Sequence, residues 1–321
     1  MIHFDSIVKH YPLEAGFFAR EEHKVFAVNG VDFRVEPGEI YGLVGESGCG
    51  KTTTARLLVR MERLTGGNIL FRSRDGREFR LAGIGRADLA ALRSRVRYVF
   101  QDPARSLNPR LSIREVLLSG YRYSPRWPGR SRAEEEARSL IQEVGLSVGD
   151  LDRRPADFSG GQRQRISIAR ALITQPEVLI CDEVVSALDV SIQGQILNLL
   201  LRLREERGLT MIFIAHDLAV VGYVSDRIGV MYRGVLVEEA PARTLMANRR
   251  HPYTQYLFES LPVLRTDGES HRRRGDPALR ATFSRRADAT ENPVSDATFL
   301  EMDEPEPGHR VSRIFSDAPR R

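Results

Sequence analysis

Gly45-Glu46-Ser47-Gly48-Cys49-Gly50-Lys51-Thr52 fits the pattern G-x-x-x-x-G-K-[ST], and the physics behind that pattern decides the fold. The glycines let the chain turn tightly, so that backbone N–H groups point inward and cradle phosphates. The helix that follows aims its positive N-terminus at the same anion. In such a loop Lys51 reaches the β- and γ-phosphates and the Thr52 hydroxyl holds Mg²⁺. The flanks agree. Glu39 to Val44 reads as a buried strand leading in, and Thr53 to Met61 as a helix leading out. Gly45, Glu46, Ser47, Gly48, Cys49, Gly50, Lys51, Thr52 and Thr53 are therefore the candidate nucleotide-binding set.

Working outward, Ile2 to Lys9 reads as a strand broken at His10-Tyr11-Pro12, and Leu13 to Lys24 as a loop. Val31 to Val35 alternates apolar and polar residues, as a half-buried strand does. Short strands are expected at Gly66 to Phe71 and Glu78 to Leu81, then a helix at Leu89 to Arg95 and a strand at Val96 to Phe100. Ser112 to Val148 is mostly helical, interrupted from Tyr121 to Pro128. Ser159 is placed as the N-cap of another helix. Val178 to Cys181 and Met211 to Ala215 are unbroken apolar runs, expected of strands covered on both faces of a parallel sheet. Between them, Val190 to Glu206 carries a helical apolar stripe, and Arg227 to Glu238 reads as a hairpin turning at Arg233-Gly234. Buried strands alternating with helices after a phosphate loop predict an α/β protein.

The chain has 321 residues, a net charge of +5 and only three lysines, Lys9, Lys24 and Lys51. Its arginines are scattered among acids and form no aromatic-interleaved basic stripe, so no nucleic-acid partner is expected. No apolar run approaches the roughly 18–20 residues of a membrane span, and the N-terminus lacks the regions of a signal peptide. A cytoplasmic protein is expected. The two cysteines, Cys49 and Cys181, form no disulfide framework. From Thr266 the composition shifts to Arg, Asp, Glu, Pro and Ser with few large apolar residues, which predicts a loosely packed or disordered tail.

Four further segments make the loop specific. Val178 to Glu183 is a buried strand that ends in two carboxylates: Asp182 is placed to hold Mg²⁺, and Glu183 to activate an attacking water. Phe158-Ser159-Gly160-Gly161-Gln162-Arg163-Gln164-Arg165 puts Ser-Gly-Gly at a helix start, where free N–H groups and the helix dipole favour an anion. Gln101 ends a strand, and His216 ends the strand Met211 to Ala215, where α/β sheets place ligand residues.

Taken in order, these motifs resemble the ATP-binding cassette (ABC) family of transporter ATPases over about residues 1–262. The resemblance implies a P-loop NTPase core of the ABC ATPase type, with a helical subdomain near 104–158 and an N-terminal antiparallel β region. It implies that Gln101 is the switch-loop glutamine that touches Mg²⁺ or the attacking water. Ser159, Gly160, Gly161 and Gln162 would contact ATP held by the other subunit. Asp189, in Ser186-Ala187-Leu188-Asp189, would lie in the loop crossing the dimer interface, and His216 would hold the γ-phosphate and orient Glu183. Tyr11 is the candidate to stack on adenine, with Phe17, Phe18 and Phe26 as alternatives. The implied catalytic set is Glu183, His216 and Gln101, and the implied metal set is Thr52, Gln101 and Asp182.

The wording of Gly45 to Lys51, Gln101-Asp102-Pro103 with Ser106 to Pro109, Val185 to Gln193 and His251 to Leu257 with Leu261-Pro262 is similar to dipeptide and oligopeptide importer ATPases. That likeness implies a subunit using ATP and Mg²⁺, peripheral on the cytoplasmic face of the membrane. Its implied partners are a second ATPase subunit, identical or different, two transmembrane permease subunits and a separate solute-binding protein. A cytosolic ABC ATPase acting on ribosomes or DNA is the rival, but such chains usually carry two cassettes or a long coiled-coil insertion, and neither is visible. Two departures stand out. Val184-Val185 replaces the Pro-Thr common after the catalytic Glu. The tail, residues 263–321, has no Cys, whereas some relatives carry a Cys-rich tail suited to an iron–sulfur cluster. It is expected to be weakly structured, without cluster ligands and dispensable for turnover after about Arg265.

Overall fold

The computed structural model describes residues 1–12, 24–259, 262–264, 270–272 and 302–313. In chain order the elements begin with β1 (Ile2–Pro12), β2 (Lys24–Val35), β3 (Ile40–Val44), α1 (Lys51–Leu58), β4 (Gly66–Arg72) and β5 (Glu78–Arg80). Next come α2 (Arg86–Arg95), β6 (Val96–Val99), α3 (Pro103–Ser106), α4 (Ile113–Arg122), α5 (Arg130–Glu143) and α6 (Gly160–Leu172). They are followed by β7 (Val178–Asp182), α7 (Val190–Arg207), β8 (Thr210–Ile214), α8 (Leu218–Val224), β9 (Arg227–Tyr232) and β10 (Val235–Pro241). The last are α9 (Ala242–Ala247), α10 (Pro252–Glu259), β11 (Pro262–Leu264), β12 (Ser270–Arg272), β13 (Met302–Glu306) and β14 (His309–Ser312). Among the described residues no helix is long and apolar enough to cross a membrane.

An eight-stranded sheet, in the order β13-β14-β10-β9-β3-β8-β7-β6, forms the centre. From β6 to β9 the neighbours are parallel. Every residue of β3, β7 and β8 is buried, because successive side chains point to opposite faces and both faces are covered. Ile40 and Val44 of β3 join one core, with Leu179, Cys181, Met211, Phe213 and the helical segments α4 to α7. Tyr41 and Leu43 join the other, with α1 and the four-stranded antiparallel sheet β2-β1-β4-β5. An aromatic stack bonds that small sheet to the large one: the Phe4 and Phe33 rings lie 4.2 Å apart, and Phe33 and Tyr41 4.6 Å apart. The helical segment is locally specified too. Ser112 and Glu115 form a reciprocal capping box that starts α4.

The structure corrects three expectations. First, β1 does not break at His10: His10, Tyr11 and Pro12 pair with Phe26, Val25 and Lys24. The ladder outweighs local turn preference, and Pro12 falls on the last residue of the strand, where a missing N–H is tolerated. Second, β2 begins at Lys24 rather than near Val31. The expected loop from Leu13, with Phe17 and Phe18, lies outside the described residues apart from Lys24. Third, residues 302–312 are not a loose tail. β13 and β14 form a hairpin that continues the central sheet, with Glu238 opposite Val311 and Glu239 opposite Arg310. Composition hid this, because the hairpin is held by buried polar pairs rather than by large apolar residues. His309 is fully buried beside Glu238, and Arg310 Nη1 lies 3.0 Å from Glu239 Oε2.

Candidate active site

The phosphate loop joins β3 to α1. Gly45 sits at φ +147°, and a Cβ there would come within 2.2 Å of the Met231 carbonyl, so a side chain is excluded. Gly50 N-caps α1 at φ +109°. The Lys51 ammonium is buried and folded back onto its own loop, donating to the carbonyls of Gly45 (2.7 Å) and Glu46 (2.8 Å). Those carbonyls stand where an anionic oxygen would compete for the same donor. The Cys49 sulfur is 3.5 Å from Lys51 Nζ, and burial is the main cause that pushes its thiol pKa up.

At the C-terminal ends of the parallel strands, β7 delivers Asp182 to the loop. Thr52 Oγ1 donates to Asp182 Oδ1 at 3.0 Å, and the Tyr98 hydroxyl donates to Asp182 Oδ2 at 2.5 Å. Burial, then the Asp182 charge, pushes the Tyr98 phenol well above its ordinary value, so it stays a donor. Thr52, Asp182 and Gln101 line one cleft of about 340 Å³ together with Arg56, Phe100, Asp102 and Ser106. Hydroxyl, carboxylate and carboxamide oxygens facing one space are hard donors, and Mg²⁺ fits that set.

Glu183 follows at φ +50°, a left-handed conformation unusual for a non-glycine residue. Its N–H donates to the Ile214 carbonyl at 2.8 Å, and its carbonyl accepts from Ser186 Oγ at 2.9 Å, so the turn is clamped from both sides. The carboxylate accepts from Gln101 Nε2, 2.6 Å from Oε2, and His216 Nδ1 lies near it, 3.8 Å from Oε1. The His216 side chain is otherwise mostly exposed.

Lys51, Thr52, Asp182, Glu183, Gln101 and His216 are thus linked around one centre. The Ser159 to Gln162 turn is a separate feature. The Ser159 hydroxyl accepts from Gln162 N while Gln162 Oε1 accepts from Ser159 N, a capping box at the start of α6 in which Ser159 is exposed and Gly160 to Gln162 are half-buried. A Cβ on Gly161 would meet Ile192 at 2.6 Å, so this turn packs on the residues just after Asp189, itself exposed. Tyr11 is 37% exposed with the Lys9 ammonium 4.6 Å from its ring centre, which leaves its face only partly free. Phe26 is half-buried against His10. Sequence reading missed Tyr98, whose place in an alternating strand reads as core, and Tyr253, whose hydroxyl accepts from Glu46 N at 3.0 Å. The His251 to Leu257 wording drew attention to the segment but not to this contact.

Fold and site define a phosphate-loop ATPase of the cassette type. The chain belongs to the ABC transporter family, whose pattern its residues 28–186 match, while residues 237–285 match the oligopeptide/dipeptide transporter C-terminal region. It is 44% identical to the oligopeptide transport ATP-binding protein AppF of Bacillus subtilis, over 84% of this chain and 80% of that one. It is 42% identical to OppF of the same organism over 92% of each chain. Among solved structures, the dimeric post-hydrolysis cassette MJ0796 bound to ADP and Pi superposes with a TM-score of 0.65 at 25% identity, over 76% of this chain and 99% of that one. This chain is an ATP-hydrolysing subunit of an ABC transporter.

Proposed function

We propose that this subunit drives the import of peptides or related small solutes. The observation that carries its chemistry is the Glu183 carboxylate, bonded to Gln101 with His216 nearby, next to the Thr52–Asp182 pair. The loop from Gly45 to Thr53 binds the ATP phosphates, and Lys51 exchanges its bonds to the Gly45 and Glu46 carbonyls for phosphate oxygens. Thr52, Asp182 and Gln101 would hold Mg²⁺, which would supply the positive charge that offsets the charge developing on the phosphates. Glu183 accepts a proton from the attacking water while His216 orients the carboxylate and the γ-phosphate. Tyr11 stacks on adenine. Ser159 to Gln162 present their helix N-terminus to the ATP of a second ATPase subunit, and Asp189 lies at the interface between the two.

Residues 1–262 form the cassette, with residues near 104–158 as its helical part, and the remainder is a C-terminal extension. Two permease subunits and a separate solute-binding protein complete the assembly on the cytoplasmic face of the membrane. The transport names of AppF and OppF support the peptide reading, and the glutathione import protein GsiA of Escherichia coli, 45% identical over 80% of this chain and 40% of that one, supports the direction. The test is purification from membranes followed by reconstitution. Permease chains should co-purify, and a peptide presented with the binding protein should stimulate ATP turnover. Co-sedimentation with ribosomes, with no permease and no response to peptide, would refute the proposal.

A further inference from the structure

The C-terminal hairpin is bonded to the phosphate loop through a buried polar chain. His309, Glu238, His251 and Tyr253 are all fully buried. His309 Nε2 lies 2.7 Å from Glu238 Oε1, and since a carboxylate only accepts, this ring nitrogen carries the proton. The same carboxylate accepts from the backbone N–H groups of Arg250 (2.7 Å) and His251 (3.1 Å), just ahead of α10. His251 Nδ1 accepts from Tyr253 N at 3.1 Å, in the first turn of that helix. The Tyr253 ring packs on Tyr232 at 4.2 Å, and its hydroxyl accepts from Glu46 N inside the phosphate loop at 3.0 Å. Beside it, Gly234 N donates to the Cys49 carbonyl at 2.9 Å.

A phosphate loop works by turning a run of N–H groups inward. The Glu46 N–H is turned outward, onto Tyr253. Fixing that one peptide fixes where the following N–H groups point. Fixing Tyr253 depends on where α10 starts, which Glu238 sets. The carboxylate is held in place by its donors, and one of them, His309, follows it by 71 residues.

We propose that Tyr253 is a positioning residue for the phosphate loop and that the hairpin Met302–Ser312, acting through His309 and Glu238, sets its position, so that the C-terminal extension governs affinity for ATP. This rests on the reading of Gly45 to Thr52 as the ATP phosphate site.

The test uses the full chain and Mg-ATP. Tyr253→Phe keeps the ring stack and removes the acceptor. Glu238→Gln and His309→Ala break the chain further out, and His309→Gln restores an N–H that can reach Glu238. Tyr253→Phe, Glu238→Gln and His309→Ala should each raise the Kd and KM for Mg-ATP about fivefold, the scale of one lost hydrogen bond. Their kcat should stay within about twofold of the parent, and His309→Gln should restore affinity to the same margin. Amide exchange at Glu46 should quicken in all three, while amides of β7 and β8 keep their protection. If His309→Ala does not fold, Glu238→Gln carries the same reading. A lowered Tm with unchanged Kd, KM and Glu46 exchange would make the chain of bonds merely structural and overturn the proposal. Lys51→Ala separates the two levels: binding undiminished in that variant would sink the phosphate-site reading itself, whereas binding lost there but intact in the other variants would sink only this inference.

Discussion

Gln101 donates from Nε2 to Glu183 Oε2 at 2.6 Å, so the side chain just past β6 and the carboxylate just past β7 occupy each other. On the proposed mechanism, water activation by Glu183 requires that bond to open, which makes Gln101 a brake on the base.

Glu183→Gln should keep ATP binding and lower turnover by about 10²–10⁴, the usual contribution of a general base. With ATP it should accumulate as a dimer on size exclusion. Parent-like hydrolysis in this variant would remove Glu183 from the role.

Lys51→Ala should lose most affinity for ATP, because it deletes the cation that faces the β- and γ-phosphates. Calorimetry decides it. The folded chain should survive, since the lost contacts are bonds within the loop itself, to two of its carbonyls and to the Cys49 sulfur.

Cys49 tests accessibility and ionisation together. Burial holds its thiol above the ordinary pKa, so thiolate is scarce near neutrality and increases only as the pH is raised. Maleimide should react slowly with the native chain at pH 7 and progressively faster toward pH 9. The adduct should abolish turnover, and prior ATP should protect. Stoichiometric labelling at Cys49 with full activity would place it outside the site.

Tyr98→Phe should raise the Mg²⁺ concentration needed for half-maximal turnover by about tenfold, as loss of an outer-shell partner commonly does. Its phenol and the Thr52 hydroxyl both donate to the Asp182 carboxylate, and removing the phenol leaves the Thr52 bond among the described residues. An unchanged Mg²⁺ requirement would show that Thr52 suffices.

The phosphate loop and the two apolar strands could be read from the chain because each obeys a local rule: glycine at strained φ, unbroken apolar runs in strands covered on both faces. Asp182, Glu183, Gln101 and His216 were legible as strand ends. What escaped reading had non-local causes. The extent of β1 through Pro12 is fixed by its partner β2, and Tyr98 and Tyr253 look like ordinary core until their hydroxyls are followed to Asp182 and Glu46. The hairpin of residues 302–312 was hidden most deeply, because its fit depends on two consecutive carboxylates, Glu238 and Glu239, far back in the sequence.

That hairpin also gives the chain a timetable. Arg310 follows its partner Glu239 by 71 residues, which at ordinary synthesis rates is a delay of roughly 4–14 s. Until then β10 is an open sheet border whose two acids, Glu238 and Glu239, lack only their His309 and Arg310 partners, a surface that invites pairing with another nascent chain. The sheet is therefore completed late, by residues 302–312. A message truncated before that point would yield a cassette with every residue of the proposed site and an unsealed flank.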